Sequence, residues 1–576
     1  MHKQIIKRSF ELKNTHFSSD ISPLLQRIYS ARGVYNDQHL TKKLSHLPDY
    51  HQLKDIEKAT QLLAEAITKQ LRIVIVGDFD CDGATSSALG VLAIRSMGGK
   101  ANYLVPNRFE FGYGLTPEIV DATAHYQPDI IVTVDNGISS IEGVAAAKAK
   151  GLKVIVTDHH LAGAQLPNAD AIVNPNQPGC GFPAKNTAGV GVIFYVMCAL
   201  RTRLRQQGWF KKRSEPNLAA FLDLVALGTV ADVVSLDAPN RILVFQGLAR
   251  IRAGHCRPGI TALINVAGRN AFSLCAPDLG YVLGPRLNAA GRLDDISTGI
   301  ELLLTDSKQQ AQQLAIELDD LNQERKQIEA SMQQEAIAEL KNLQIDVHEN
   351  SIPWGLCLFK NDWHQGVIGI LASRIKEKLN RPVIVFAESD NEEVKGSARS
   401  IPNLHIRDTL ENISRQHPHL IIKFGGHAMA AGISIKKADI NEFKTLFDSE
   451  IRQQLNKEDL NAEIYTDGEL LPSDMTMNTA ADLRAGGPWG QSFPEPLFHG
   501  RFQVVAQRRI GQKHLKMLLK PASTDLCLDA IAFNIDPEQW PNPKIKLLEI
   551  VYKLDINEFR GQQSLQLLVD YFQPVS

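Results

Sequence analysis

Four short runs of aliphatic and β-branched residues, Leu71–Val76, Ala101–Val105, Ile130–Val134 and Lys153–Val156, recur along the first part of the chain. Runs this apolar, bounded by glycine or polar residues, predict strands buried on both faces of a parallel sheet. Helix-like, alanine-rich segments such as Ile141–Lys150 lie between them. Strand and helix alternate at roughly 25 to 30 residues per unit, the signature of an open α/β sheet. Before this unit, residues 1 to 70 are polar with a helical pattern; after it, residues 188–204 and 217–230 extend it as helices.

From Asp306 to Leu343 there is neither proline nor glycine, and Leu314, Leu318, Leu321, Ile328, Met332 and Leu340 fall at helical spacing. At 1.5 Å per residue this predicts one helix of roughly 50 to 60 Å, either joining two domains or packed into one core. A second α/β unit opens at Trp354–Phe359 and runs to about residue 455. Five short strand-like runs then follow: Phe502–Val505, Leu515–Leu519, Leu526–Phe533, Leu547–Leu554 and Ser564–Val569. Their turn-separated spacing predicts a small β-barrel, with an OB-fold the leading candidate. The expected organisation is an N-terminal extension (1–50), an open-sheet α/β domain (51–305), a connecting helix (306–345), a second α/β domain (346–457) and an OB-like barrel (458–576).

Composition narrows the setting. A chain of 576 residues exceeds one hydrophobic core, and 44% hydrophobic with 22% charged residues is an ordinary globular balance. The formal charge of −2 means that any nucleic acid must be met by a local basic groove, not by the surface as a whole. Seven cysteines without a CxxC pair read as reduced thiols of a cytoplasmic protein. The polar N-terminus lacks a signal-peptide core, and the longest apolar run, Ala188–Leu200, is too short to span a bilayer, so no membrane anchor is expected.

The chemistry sits at the ends of the predicted strands. Gly77-Asp78-Phe79-Asp80-Cys81-Asp82-Gly83 puts three carboxylates at alternate positions after the first strand. Like charges this close repel unless a cation neutralises them, and oxygen donors favour a hard ion such as Mg²⁺ or Mn²⁺. Alone, the motif also fits a solvated loop or a nucleotide-binding turn. Two further strands end in Asp135-Asn136-Gly137 and Asp158-His159-His160. Since open α/β sheets bind ligands outside the carboxyl ends of their strands, three separate stretches converge on one edge. Asp232, after an apolar helix, is a further carboxylate where a charge is costly.

These motifs, with Gly228-Thr229-Val230-Ala231-Asp232, resemble in order and spacing those of the DHH phosphoesterase superfamily, and the triple-aspartate motif is similar to that of its RecJ branch. The resemblance implies two divalent ions, Mn²⁺ or Mg²⁺. Asp80 and Asp135 would hold one, and Asp82, Asp135, His159 and Asp232 the other. It also implies His160 facing the phosphate, Asp158 orienting the histidines, and an undefined part for Asp78. Trp363–Arg374, Gly396–Ser400 and Gly425–Ala428 are similar to a DHH-associated domain facing the catalytic domain across a groove, and Gly284–Arg292 to a RecJ signature. Arg108, Arg286, Asn288, Arg292, Ser373, Arg374, Ser397, Arg399 and His427 are the candidates for binding DNA phosphates, with Arg501, Arg508, Arg509, Lys513 and Lys516 on the barrel.

The implied activity is exonucleolysis of single-stranded DNA, 5′ to 3′, by a cytoplasmic monomer. Single-strand-binding protein and a RecQ-type helicase are the implied partners, and repair and recombination the setting. A phosphodiesterase for short oligonucleotides or cyclic dinucleotides, and a non-catalytic DNA-binding scaffold, are the alternatives.

Overall fold

The computed structural model describes residues 3–10, 15–106, 114–342, 352–389, 392–511, 513–522, 524–537, 539–559 and 561–575. The polar start of the chain, expected to be helical, opens instead on strand β1 (Lys3–Lys7), whose partner comes only after residue 460. Its isoleucines make a short sheet edge that local helical patterning does not reveal.

The first domain is built on β2 (Arg72–Val76), β3 (Lys100–Leu104), β4 (Ile130–Val134), β5 (Lys153–Thr157) and β6 (Ala171–Val173), all parallel, in the spatial order β3-β2-β4-β5-β6. Alternate residues of each strand enter different cores. Ile73, Ile75 and Val132 pack with helices Cys81–Ser96 and Gly189–Gln206, whereas Val74, Val76 and Ile131 pack with helices Pro117–Thr123 and Ile141–Ala149. Burial on both faces explains why these strands are apolar throughout instead of alternating.

The helix from Lys308 to Asn342 does join two cores. Ala311, Ala315 and Leu318 are buried with the first domain, and Met332, Ala336 and Leu340 with the second. That second domain is a mixed sheet of β7 (Leu356–Lys360), β8 (Val383–Glu388), β9 (Glu393–Arg399), β10 (Lys423–Gly426) and β11 (Ala430–Lys436), ordered β10-β11-β9-β8-β7. Strand β12 (Ala462–Thr466) then pairs in parallel with β1.

The last strands, β13 (Phe498–Ile510), β14 (His514–Pro521), β15 (Leu528–Phe533), β16 (Leu547–Phe559) and β17 (Gln562–Pro574), close a barrel in the order β13-β14-β15-β17-β16. That order, with β15 and β17 parallel, is the five-stranded Greek key of an OB-fold. The strands outrun the hydrophobic runs because their outer ends are polar. Among the described residues no helix is long and apolar enough to cross a membrane.

Candidate metal centre and phosphate trough

The chain leaves β2 over one face of the sheet to reach β3, and leaves β4 over the other to reach β5. Beyond the carboxyl ends of β2 and β4 the connections therefore diverge, opening the crevice in which ligands of such sheets bind. The Asp78–Asp82 loop follows β2, Asp135 follows β4 and Asp158–His160 follows β5.

Asp80 caps the helix Cys81–Ser96, its Oδ1 accepting the amides of Asp82 and Gly83 at 2.9 and 3.0 Å. Gly83 lets this turn fold back, because a Cβ there would sit 2.3 Å from the Asp78 carbonyl oxygen. Asp82 is fully buried and receives two amides from the start of helix Gly189–Gln206: Gly189 N at 2.7 Å and Val190 N at 2.9 Å. Those donors and the positive end of the helix dipole favour its charge. Burial first, then the charge of Asp80, outweigh them and push its carboxyl up to about 7.

Asp135 holds a left-handed backbone (φ 61°), which aspartate tolerates better than most residues and which turns its side chain into the crevice. Burial and four neighbouring aspartates, Asp82 foremost, raise its carboxyl well above the usual range. Asp232 ends the helix Leu222–Ala231 and is raised well above that range by burial and then by Asp82. Four carboxylates thus face one another in the crevice.

His159 shows what is needed. Its Nε2 is buried, makes no hydrogen bond, and lies 3.1 Å from Asp135 Oδ1 and 3.6 Å from Asp232 Oδ2. Burial, followed by the neighbouring His160, pulls its pKa down to about 4, so the ring is neutral at physiological pH. With the ring proton on Nδ1, Nε2 and two carboxylate oxygens at these distances repel unless a cation lies among them, so the donor set fits hard divalent ions. Among the described residues three groups have ligand atoms within 4.8 Å of one another: Asp78, Asp80 and Asp135; Asp82, His159 and Asp232; Asp135, His159 and His160. Asp135 belongs to two of them, and Asp78 stands with Asp80.

Asp158 does a different job. Its Oδ1 accepts the His159 amide (2.7 Å), the His160 amide (3.1 Å) and His160 Nδ1 (2.7 Å), and its Oδ2 accepts the Ile138 amide (2.9 Å). It anchors the histidine turn. Burial alone would lower the pKa of His160, but the hydrogen bond and charge of Asp158, with Asp78 and Asp80, push it up to about 8.

Beside the acidic cluster lies a cavity of about 390 Å³ lined by Phe79, Asp80, Asn288, Arg292, Lys395, Ser397 and Arg399. Phe79 and Lys395 also line an adjoining groove of about 1200 Å³ that passes Asp158, His160, Lys423 and His427. The two form one trough between the domains. Arg399 donates to Ser373 Oγ (3.1 Å) and Ser397 Oγ (3.0 Å), which aims its guanidinium along the wall. Asn288 Oδ1 accepts the Cys81 amide at 2.7 Å, tying the signature helix to the aspartate loop.

Three candidates from the sequence do not line this trough: Ser373, which serves it by accepting Arg399, and two arginines. Arg286 is buried, with its guanidinium 2.8 Å from Asp319 on the long helix. Arg374 turns outward to Glu329 at 2.9 Å and Glu377 at 3.4 Å. In both cases the side chain turns to a carboxylate of the long helix instead. Arg108 lies outside the described residues. Arg501, Arg508, Arg509 and Lys513 are exposed on the barrel, while Lys516 pairs with Asp529 at 3.1 Å. Sequence reasoning missed Lys395, which shares the strand face of Ser397 and Arg399 and was legible from that period of two. It also missed the Gly189 and Val190 amides, which no side-chain pattern signals.

Family models match three stretches: the DHH family N-terminal domain over residues 72–229, the DHHA1 domain over 353–453 and the RecJ OB domain over 466–571. The single-stranded-DNA-specific exonuclease RecJ of Dickeya dadantii is 53% identical, covering 97% of this chain and 98% of its own length. That of Escherichia coli is 52% identical, covering 100% of both. The chain belongs to the RecJ exonuclease family. RecJ of Thermus thermophilus, solved in complex with Mn²⁺, matches with a TM-score of 0.79 at 28% identity, covering 97% of this chain and 76% of that one. A second structure of Thermus RecJ is in complex with Mg²⁺. Divalent metal ions of this kind are the cofactors of the RecJ family, in keeping with the acidic cluster.

Proposed function

We propose that the chain is a metal-dependent exonuclease that shortens single-stranded DNA from its 5′ end by phosphodiester hydrolysis, releasing mononucleotides. The observation that carries this is the buried, neutral His159 nitrogen set among Asp135 and Asp232, beside Asp80 and Asp82, at the edge of a trough lined with arginine and lysine. Asp80 and Asp135 would hold one ion, and Asp82, Asp135, His159 and Asp232 the other. Bound there, two divalent ions acidify water into a nucleophile and neutralise charge on the phosphate oxygens.

The chain's own residues do the rest. Asp158 accepts a hydrogen bond from His160 Nδ1, which leaves the other ring nitrogen to donate to a phosphate oxygen in the groove it lines. Arg292 on one wall and Arg399 with Ser397 on the other would receive the terminal phosphate, with Ser373 steering Arg399 and Asn288 steadying the aspartate loop. His427 stands farther along the groove. The exposed arginines of the barrel suit a strand that stacks its bases and leaves its phosphates to basic side chains.

Digestion of single and double strands labelled at either end, with Mn²⁺, Mg²⁺ or chelator, tests the reading. Release of label from the 5′ end of single strands, abolished by chelator and by Asp135→Ala in a folded protein, is expected; cleavage by that variant at the wild-type rate refutes it. The same reading carries a cytoplasmic monomer working with single-strand-binding protein and a RecQ-type helicase, which co-sedimentation with each partner checks.

A further inference from the structure

The long helix Lys308–Asn342 buries an apolar stripe at each end, while in its middle the apolar Leu321 and Ile328 are only partly buried. Between Leu318 in the first domain's core and Met332 in the second's, its most buried side chains are polar: Asn322 is 1% exposed, Arg325 8% and Glu329 8%. With Asp319 they fall at three- and four-residue intervals, so they form one stripe along the helix.

Each member is tied to a particular partner. Asp319 meets Arg286 of the signature helix Gly284–Leu293 at 2.8 Å. Arg325 donates to Asn322 Oδ1 at 2.8 Å and to Glu329 Oε2 at 2.6 Å. The other oxygen of Glu329 accepts Arg374 Nε at 2.9 Å, so both are engaged. Arg374 follows Ser373, whose hydroxyl holds Arg399 at 3.1 Å. One link thus ties the long helix to the helix bearing Asn288 and Arg292, and a second, from Asn322 through Arg325 and Glu329, ties it to the helix steering Arg399; these two helices stand behind the two walls of the phosphate cavity.

Stability alone does not explain a ladder of this kind. Desolvating charges commonly offsets their mutual attraction, and apolar residues of similar volume often do as well or better. What the ladder supplies is register. Apolar packing is non-directional and lets one helix slide on another, whereas a carboxylate held by two guanidiniums fixes position. It stands where the two cores end and the domain spacing is set.

We infer that Glu329 is a positioning residue for the reaction: through Arg374 it holds the Ser373–Arg399 wall at a fixed distance from the Asn288–Arg292 wall, and so sets the grip on the terminal phosphate. Arg374, in this reading, serves DNA binding through Glu329 and not by contact. The inference rests on the proposed exonuclease activity.

The experiment measures full-length wild type, Glu329→Gln, Arg374→Gln and the double variant on single-stranded DNA with 5′-phosphate or 5′-hydroxyl ends, with folding checked by thermal melting. For Glu329→Gln, KM on phosphorylated ends should rise about tenfold while kcat stays within about twofold. The preference for phosphorylated over hydroxyl ends should shrink by a like factor. The double variant should be no worse than either single one, because both break the same link. Should Glu329→Gln fail to fold, Glu329→Met, which keeps the volume without the charge, takes its place. An unchanged KM, or losses that add in the double variant as separate DNA contacts would, overturns the inference. Wild type inert on both kinds of end would instead defeat the exonuclease reading itself.

Discussion

Asp158 separates the two histidines of its turn into different chemical species. His160, hydrogen-bonded through Nδ1, is held up to about 8, while His159, which Asp158 meets only through its backbone amide, falls to about 4. One ring stays charged for phosphate while its neighbour stays neutral as a ligand. Asp158→Asn removes the charge and one acceptor from four donors. Activity should fall about 10- to 100-fold, the range seen when the support of a site residue is lost. The sign follows from His160. Its positive charge is present below about 8 and lost as pH rises through that value, so without Asp158 the alkaline limb of the rate profile should move to lower pH.

The aspartates titrate in the opposite sense. With Asp82 held at about 7 and Asp135 and Asp232 also raised well above the usual carboxylate range, the metal-free folded chain binds more protons than the unfolded one once the pH exceeds the ordinary carboxylate range near 4. Metal-free stability is therefore greatest in mild acid and declines as pH climbs towards 7 and beyond. Divalent ions must displace those protons, so their affinity should rise from pH 6 to pH 8. Calorimetric titrations at several pH values, in buffers of different ionisation enthalpy, will show proton release; a pH-independent affinity with no release contradicts the clustering of these carboxylates.

At the scale of elements, the helix beginning at Gly189 holds the centre together. Its first amides reach Asp82, and a Cβ on Gly189 would lie 2.7 Å from that of Asp135. Alanine ordinarily favours a helix over glycine by up to about 1 kcal/mol. Here Gly189→Ala should weaken divalent-ion affinity about tenfold or more, because it pushes apart two carboxylates that share the ions. Isothermal titration of the folded variant measures this.

Such contacts mark what the sequence could convey. The parallel strands, the long helix and the barrel were legible because burial writes a period into side chains, and the motif aspartates because like charges at strand ends have few explanations. Strand β1 was not legible, because its partner β12 lies across the whole chain and pairing there is a backbone affair. Nor was the turn of Arg286 and Arg374 away from the trough: spacing tells which helix face a residue occupies, not which neighbour that face meets.

At the scale of the molecule, the connections do not follow chain order. The barrel comes after the second α/β domain in sequence, yet Phe498, Phe502 and Tyr552 share a continuous buried core with the first domain and with Ile28, Tyr29 and Val34 of the N-terminal segment. The second domain keeps cores of its own and reaches the first through the long helix. The clasp of the larger body is Asp467, whose carboxylate takes Arg32 at 2.7 Å, with both side chains 1% exposed, and also the Leu497 amide at 3.0 Å. Tyr29 stacks against Trp489 and Phe493 beside it, at 5.9 and 6.2 Å.

A barrel fastened in this way should feel ions bound far from it. Metal at about 100 times its dissociation constant stabilises whatever unfolds with its site by about 2.7 kcal/mol. Trp540, which packs edge-on against Phe572 at 4.8 Å, provides a fluorescence probe of the barrel once the other tryptophans are replaced by phenylalanine. In that background the Trp540 transition should shift to higher denaturant on adding Mn²⁺, together with the transition of the catalytic domain. Asp467→Ala strands a buried guanidinium at a cost of about 3 to 5 kcal/mol. It should separate the two transitions, so that Mn²⁺ protects the catalytic domain and no longer the barrel. A Trp540 signal indifferent to Mn²⁺ in the parent would mean that the shared core does not couple the two domains, and that the barrel unfolds on its own.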